Sequence, residues 1–300
     1  MFDYKLLEAL AAVVEQGGFE RAAQVLGLSQ SAVSQRVKLL ESRVGAPVLL
    51  RISPPLATPA GQRLLNHAQQ VKLLERDLHQ DLPMVGGEQG PTRLRIALNA
   101  DSLATWWAPA VADFCAREQM LVDMVTDDQE VVLRRMRAGD VAACVCATSE
   151  PVAGARSMAL GSMRYLAVAS PAVLFREPPA PTDPAAVLRS LPAVVFGPDD
   201  QLQHRFLREV GHIGDFQHHL CPSSEGFVRM LCAGMGWGMV PALQIQSQLR
   251  SGALREVLPG RHVDVPLFWH YWRNGGRLLE ALTRCLAIQG PLLLADGHTA

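Results

Sequence analysis

A chain of 300 residues, 49% of them hydrophobic, is long enough for two or three domains with buried cores. Its net charge of −1 excludes a protein that is basic throughout, so any affinity for nucleic acid must be local. Acidic residues interrupt the apolar N-terminus, and no apolar run approaches about 18 residues. We therefore expect a soluble cytoplasmic protein without a membrane partner.

The first fifty residues have the spacing of three short helices. Residues 2–16 and 19–26 each carry apolar residues on one side, and the second helix should end at Gly27, where a left-handed residue needs no Cβ. Ser29 is a suitable N-cap for a third helix, whose apolar stripe consists of Val33, Val37, Leu40 and Val44.

The side chains on the opposite face of this third helix are polar, and those near its start are short. It carries Ser31, Ser34, Gln35, Lys38 and Ser42, which suit a recognition helix because small hydroxyls and a Gln can hydrogen-bond to base edges. A helical hairpin with a solvated face explains the same spacing. Charge favours DNA, since the stretch from Arg21 to Lys72 holds seven basic residues and the single acid Glu41.

A proline-rich segment after Arg51 predicts an extended wing, and Thr58 followed by Pro59 predicts the start of a long helix. That helix should extend over about 25 residues. Its apolar seam favours a dimer contact, with packing on its own chain as the alternative; the seam residues are Leu64, Ala68, Val71, Leu78 and Leu82. Residues 83–92, rich in Pro and Gly, indicate a domain boundary.

From residue 93 onwards, strand and helix patterns alternate. This rhythm predicts a parallel sheet with right-handed crossovers, arranged as two α/β units with a cleft between them. Such sheets bind ligands beyond the carboxyl ends of their strands, near helix starts. The candidate ligand residues in such loops are Asn99, Asp101, Ser102, Asp127, Ser223, Ser224 and Glu225. Their acids suit a cationic amino acid, although a helix cap alone explains Asp101 or Ser102.

The six cysteines are interpreted as buried small hydrophobic residues, and a redox sensor is the alternative. We expect Cys144 and Cys146 to point to opposite faces of a strand, which would keep them from pairing. Catalytic, nucleotide-binding and metal-binding motifs are absent, so we expect no enzyme, no cofactor and no metal.

The segment GGFERAAQVLGLSQSAVSQRVKLLE, followed by Thr58 and Gly61, resembles the winged helix-turn-helix of LysR-type transcriptional regulators over about sixty positions. The resemblance implies base contacts from Gln30, Ser31, Ser34 and Gln35, and phosphate contacts from Arg36, Lys38 and Arg51. Many relatives carry Arg where Gln35 stands, so the roles of Gln35 and Arg36 could be exchanged.

The same resemblance implies an α+α/β fold in three parts. Residues 1–58 would form the winged helix-turn-helix, and residues 59–91 the dimerisation linker helix and hinge. Residues 92–300 would form a two-lobed effector domain like a periplasmic binding protein. Its lobe 1 would comprise about 92–169 and 267–300, and its lobe 2 about 170–266.

The segments ALNADSLATWW and SSEGF resemble the branch of this family that responds to lysine or arginine. This implies a homodimeric or homotetrameric regulator of basic amino acid export or metabolism, with double-stranded DNA, the effector and RNA polymerase as expected partners. A cysteine-based redox-sensing regulator of the same family is one alternative. A solute-binding or enzymatic module fused to a DNA anchor is another.

Overall fold

A computed structural model describes residues 3–81, 92–126, 129–175, 186–211, 214–295 and 297. Three helices form the N-terminal unit, namely α1 (Tyr4–Glu15), α2 (Phe19–Leu26) and α3 (Gln30–Val44). Gly27 is left-handed with φ 62°, and Ser29 Oγ accepts a hydrogen bond from the Ala32 amide at 3.2 Å. Both predicted helix boundaries are confirmed.

The three helices share one apolar core. The side chains of α1 that face α2 and α3 are buried, and so is the predicted stripe of α3 except for the half-buried Val44. The core residues include Leu6, Leu10, Val13, Ala22, Val33, Val37 and Leu40. Burial of this stripe fixes which face of α3 remains in solvent.

A short wing follows α3. Strands β1 (Leu49–Leu50) and β2 (Leu56–Ala57) pair antiparallel. The carboxylate of Glu41 accepts a hydrogen bond from the Val48 amide at 3.1 Å and one from the Arg51 guanidinium at 3.2 Å. Glu41, the single acid between Arg21 and Lys72, thus connects the wing to α3 through these two hydrogen bonds.

The long helix α4 (Pro59–Asp81) has 23 residues, and Thr58 Oγ1 accepts from the Gly61 amide at 3.1 Å, as the predicted N-cap should. The predicted seam requires a correction. Leu64 and Ala68 are buried in the core of their own N-terminal unit, because α4 begins directly beneath the wing and packs back onto α1. Leu78 is 56% exposed, and Leu82 lies outside the described residues.

The remaining elements build one large sheet flanked by helices. Its strands are β3 (Thr92–Leu98), β4 (Met120–Thr126), β5 (Ala143–Cys146), β6 (Ala155–Ala169), β7 (Ala193–Val195), β8 (His218–Leu220), β9 (Trp237–Pro241), β10 (Arg255–Glu256) and β11 (His262–Trp272). The helices are α5 (Ala100–Ala104), α6 (Trp107–Arg117), α7 (Gln129–Ala138), α8 (Pro171–Leu174), α9 (Ala186–Ser190), α10 (Leu202–Glu209), α11 (Ser224–Cys232), α12 (Ala242–Ser251) and α13 (Gly276–Ala295).

The prediction of a purely parallel sheet is wrong. Strands run in the order β4-β3-β5-β11-β6-β9-β7-β8, with β10 beside β6. Strands β3, β4 and β5 are parallel to one another, as are β7, β8 and β9, but β6 and β11 pair antiparallel with each other and with their neighbours. The alternating rhythm predicted the two parallel groups and missed the long return pair between them.

Strands β6 and β11 run through both halves of this sheet. They pair along their whole shared length, with an irregularity at Leu267 and Phe268. The last residues of β6, Tyr165 to Ala169, pair with β9 of the second half. The chain therefore enters the second half within β6, several residues before Ser170.

Helix α13 packs on β6 and α6, and its leucines belong to the main core. Among the described residues it is the one helix long and apolar enough, by composition, to cross a membrane; its mean hydropathy is 1.4. Core helices of globular domains pass the same test, and 39% of that window is buried.

The expectation for Cys144 and Cys146 is also wrong. Residues two apart in a strand point to the same face, and both side chains lie in one buried cluster with Val132 and Met136 of α7.

Gly61 lies so close to the wing that a Cβ there would collide with the backbone carbonyl of Val48. We predict that Gly61→Ala lowers the free energy of unfolding by about 1–3 kcal/mol, because backbone rather than a flexible side chain must move. Denaturant unfolding measures the loss. Gly18→Ala is the control, since its Cβ would meet nothing within 4 Å. Equal stability of the two variants would contradict the close approach.

Candidate DNA interface and effector site

The outer face of α3 exposes the side chains predicted for DNA contact. Gln30, Ser31, Gln35 and Lys38 are exposed, whereas Ser34 and Arg36 are half-buried. Ser31 Oγ lies 2.9 Å from the capping Ser29 Oγ. The first turns of α3 thus present hydroxyls and amides, which can hydrogen-bond to base edges.

The wing adds a second exposed surface next to α3. Arg51 is exposed and shares a surface ion pair with Glu41, so its guanidinium is held near the C-terminal part of α3. An exposed pair of this kind contributes about 0–1 kcal/mol to stability, and a phosphate can compete for the guanidinium. Leu50, Ile52 and Leu56 of the wing are also exposed.

In the C-terminal part, two of the predicted effector residues meet between the halves of the sheet. Asp101 belongs to α5 in the first half, and Ser224 begins α11 in the second. Ser224 Oγ lies 3.0 Å from Asp101 Oδ1, and the Tyr165 hydroxyl donates to Asp101 Oδ2 at 2.7 Å. One carboxyl group therefore contacts both halves and the strand that joins them.

Ser224 Oγ has two possible acceptors, Asp101 and Gln244. Gln244 Nε2 donates to the Ser224 carbonyl at 3.1 Å, which orients the amide so that Gln244 Oε1 lies 3.1 Å from Ser224 Oγ. A hydroxyl has a single proton and cannot donate to Gln244 Oε1 and an ionised Asp101 at once. With Asp101 ionised, Ser224 Oγ donates to Asp101 Oδ1 alone; with Asp101 protonated, Asp101 would donate to Ser224 Oγ, and Ser224 to Gln244 Oε1.

The environment of Asp101 shifts the carboxyl group towards its neutral form. Burial raises the pKa of Asp101, and the charge of nearby Asp200 raises it further, against the lowering effect of its hydrogen bonds with Tyr165 and Ser224. Burial also raises the pKa of Tyr165, so its phenol stays a donor. A cation placed beside Asp101 would reverse the balance by stabilising the carboxylate.

Several other predicted effector residues have local roles. Asn99 caps α5 by accepting from the Ser102 amide at 3.3 Å, and Ser223 caps α11 by accepting from the Gly226 amide at 3.1 Å. Glu225 does not join the group around Asp101, since it is exposed and pairs with Arg229 one turn along α11.

Ser102 and Asp127 complete the set of predicted effector residues. Ser102 is fully buried, and its hydroxyl has no hydrogen-bond partner within the described part of the chain. Asp127 lies outside the described residues.

Sequence reasoning missed Tyr165, Gln244 and Asp200. Tyr165 was assigned to a strand, and its hydroxyl was the available signal, because a buried phenol needs a hydrogen-bond partner. Asp200 lies just before α10 and accepts from the amides of Phe196 and Leu202. Gln244 gave no signal, since a Gln in the first turn of an amphipathic helix is ordinary.

Asp101 is half-buried among these contacts. A cavity of about 770 Å³ lies elsewhere, between α1, α4 and the first half of the sheet, and its lining includes Glu15, Asn66, Arg95 and Trp272. No cluster of three or more His, Cys, Asp or Glu side chains is arranged to hold a metal ion within the residues that the structure describes.

Comparison with known proteins agrees with this architecture. Residues 4–62 match the family described as the bacterial regulatory helix-turn-helix protein, lysR family, and residues 87–288 match the LysR substrate binding domain. The transcriptional regulator ArgP of Pseudomonas fluorescens is 64% identical over 287 residues, which cover 96% of each chain.

Two solved structures are similar over nearly the full length. The crystal structure of ArgP from Mycobacterium tuberculosis has a TM-score of 0.79 and 36% identity, covering 97% of this chain and 98% of that one. Full-length LysG from Corynebacterium glutamicum with bound effector Arg has a TM-score of 0.68 and 32% identity, covering 96% and 98%. The chain belongs to the LysR family of transcriptional regulators and is similar to ArgP.

Proposed function

We propose that this regulator binds double-stranded DNA through α3 and the wing, and responds to arginine or lysine bound between the two halves of its effector domain. The observation that carries the effector assignment is the half-buried carboxyl of Asp101, which belongs to the first half and hydrogen-bonds to Ser224 of the second. The arginine bound by the similar LysG supports the ligand class. We retain residues 1–58, 59–91 and 92–300 as the proposed domains.

For DNA, we assign base contacts to the exposed start of α3 and phosphate contacts to its basic residues and the wing. Gln30, Ser31, Ser34 and Gln35 would face base edges in the major groove. Arg36, Lys38 and Arg51 would contact the backbone, which fixes register but carries no sequence information directly.

The DNA assignment predicts different effects for Gln35→Ala and Arg51→Ala. Gln35→Ala should lose about 1–3 kcal/mol of discrimination between operator and nonspecific DNA. Arg51→Ala should weaken binding to all DNA sequences alike. It should also reduce the magnitude of the slope of log K against log[salt] by about 1. Titrations of both DNAs at several salt concentrations measure this.

Arg229→Ala is the control for these titrations, because Arg229 is an exposed base of α11 in the effector domain. If Gln35→Ala and Arg51→Ala both bind like the control, residues 29–51 are not the interface.

We also propose that a second copy of the chain covers the outer part of α4. Leu74 and Leu78 lie one turn apart, and their side chains are 49% and 56% exposed. Leu64 and Ala68, by contrast, are packed in the N-terminal core of the same chain. Two helix-turn-helix units joined in this way could read two half-sites about 34 Å apart.

Leu78→Glu should shift the protein from dimer towards monomer, because it would place an unpaired charge in the contact. Sedimentation velocity measures the shift. Val25→Glu alters an equally exposed apolar residue of α2 and should leave the assembly unchanged. A folded Leu78→Glu protein that stays dimeric would place the contact elsewhere.

The ligand chemistry follows from the group around Asp101. The ammonium or guanidinium of a basic amino acid would replace Ser224 as the partner of Asp101 and ionise it. The Ser102 hydroxyl, buried without a partner among the described residues, could donate to the ligand carboxylate. Basic amino acids should therefore bind better than leucine or glutamate, which lack a side-chain cation.

This mechanism predicts that, at pH values below the raised pKa of Asp101, arginine binding releases a proton and strengthens as pH rises. The pKa of Asp101 is raised in the free protein, so the neutral form dominates below that pKa and must ionise on binding. Affinity should rise as pH rises through the raised pKa and level off above it. Calorimetry in buffers of different ionisation enthalpy measures the proton.

Asp101→Asn should weaken arginine or lysine binding roughly ten- to hundredfold, the worth of a charged hydrogen bond of about 1.5–3 kcal/mol, and should abolish the proton release. Glu225→Gln is the matched control, because Glu225 is an exposed acid away from this group. Unchanged binding of both amino acids by Asp101→Asn would remove Asp101 from the site.

The ligand class also indicates a cellular role for the regulator. We propose that the regulator acts in the cytoplasm on genes for basic amino acid export or metabolism, and RNA polymerase stays an expected partner. An enzymatic or purely solute-binding module is not favoured, because the relatives are transcriptional regulators.

A further inference from the structure

The cavity of about 770 Å³ lies between the N-terminal unit and the first half of the effector sheet. This volume is within the range of small-molecule sites in proteins. One wall consists of the end of α1 and the first half of α4, and the other mainly of β3, β4 and the turn between α7 and β5. None of the lining residues belongs to the proposed DNA or effector contacts.

Direct contacts hold these two walls together. Gly139, in the turn after α7, lies so close to α4 that a Cβ there would come within 2.8 Å of Asn66 Nδ2. Asp77 Oδ2 of α4 accepts a hydrogen bond from the Arg277 amide of α13 at 2.8 Å. The cavity is therefore a feature of how the two parts of the chain pack, and a ligand inside it would touch both. The apolar part of its lining includes Val14, Leu65, Val141 and Leu279.

Three acidic and two basic side chains line the cavity, namely Glu15, Asp123, Asp140, Arg93 and Arg95. Arg95 Nε lies 3.6 Å from Asp123 Oδ2, so these two charges form an ion pair. Arg93 also has an interaction partner. A ligand carboxylate would therefore have to compete for either arginine.

The carboxylates of Glu15 and Asp140 lack hydrogen-bond donors. Glu15 is exposed at the last residue of α1 and forms no hydrogen bond or ion pair with another described residue. Asp140 Oδ1 is buried without a hydrogen-bond partner in the described part of the chain, and Oδ2 lies 3.9 Å from Arg135 Nη1, beyond hydrogen-bond distance. Burial raises the pKa of Asp140, against the lowering effects of Arg135 and Arg95. Each wall thus carries one acid that a cation would stabilise.

We propose that this cavity binds a linear aliphatic amine with two ammonium groups. One ammonium would pair with Glu15 of the N-terminal unit and the other with Asp140 of the effector domain, each supplying the N–H donors that the carboxylate lacks. The C-terminal end of α1 also favours a cation beside Glu15. The methylene chain would lie against the apolar lining. Because it touches both walls, the diamine would hold the N-terminal unit against the effector domain.

The test is calorimetric titration of the full-length protein with putrescine in phosphate buffer, which contains no competing amine. Butylamine is the matched ligand, because it has the same four-carbon chain and a single ammonium. We expect the parent protein to bind putrescine about fivefold more tightly than butylamine, the worth of one additional exposed ion pair. Equal affinity for the two amines would overturn the proposal.

Variants place the amine in the cavity. Glu15→Gln and Asp140→Asn should each abolish the preference for putrescine, because each leaves a single acid to pair with an ammonium. Glu8→Gln in α1 and Asp113→Asn in α6 are the controls, since both residues are exposed and outside the lining. An unchanged preference in Glu15→Gln or in Asp140→Asn would overturn the proposal. Loss of putrescine binding in Asp101→Asn alone would also overturn it, by placing the amine at the proposed effector site.

Discussion

The two halves of the effector domain meet at one carboxyl group, that of Asp101, whose surroundings raise its pKa. Asp101 contacts Ser224 across the interface and Tyr165 on the strand that joins the halves. Because Ser224 has one proton for two acceptors, Asp101 and the Gln244 amide oxygen, protonation of Asp101 would satisfy both contacts across the interface. In the proposed function, a ligand cation would meet the same oxygen atoms that join the two halves.

The N-terminal unit was predictable because its determinants are local. Gly27 and Ser29 fix the turn between α2 and α3, and Thr58 fixes the start of α4. Each acts on backbone within three residues, so its effect can be inferred without knowing the rest of the fold. The apolar stripe of α3 then decides which face meets solvent.

The proposed effector site was predictable only in part, because its contacts join distant parts of the chain. Asp101 and Ser224 follow the rule for helix starts beyond strand ends, but Tyr165 reaches them from the middle of a long strand and Gln244 from a helix surface. The antiparallel return of β11 also carries no local signal. It places His270 beside Cys144, which lies 126 positions earlier in sequence.

Helix α4 contacts both functional parts of the chain. Its first turns belong to the N-terminal core, while Asp77 near its end accepts a hydrogen bond from the first-turn amide of Arg277 in α13 at 2.8 Å. A continuous helix of 23 residues is about 34 Å long and bends little. For a rigid helix of this length, a tilt of roughly 5° about its α13 end would displace its N-terminal end, which packs in the core of the helix-turn-helix unit, by about 3 Å, close to one base-pair step along DNA.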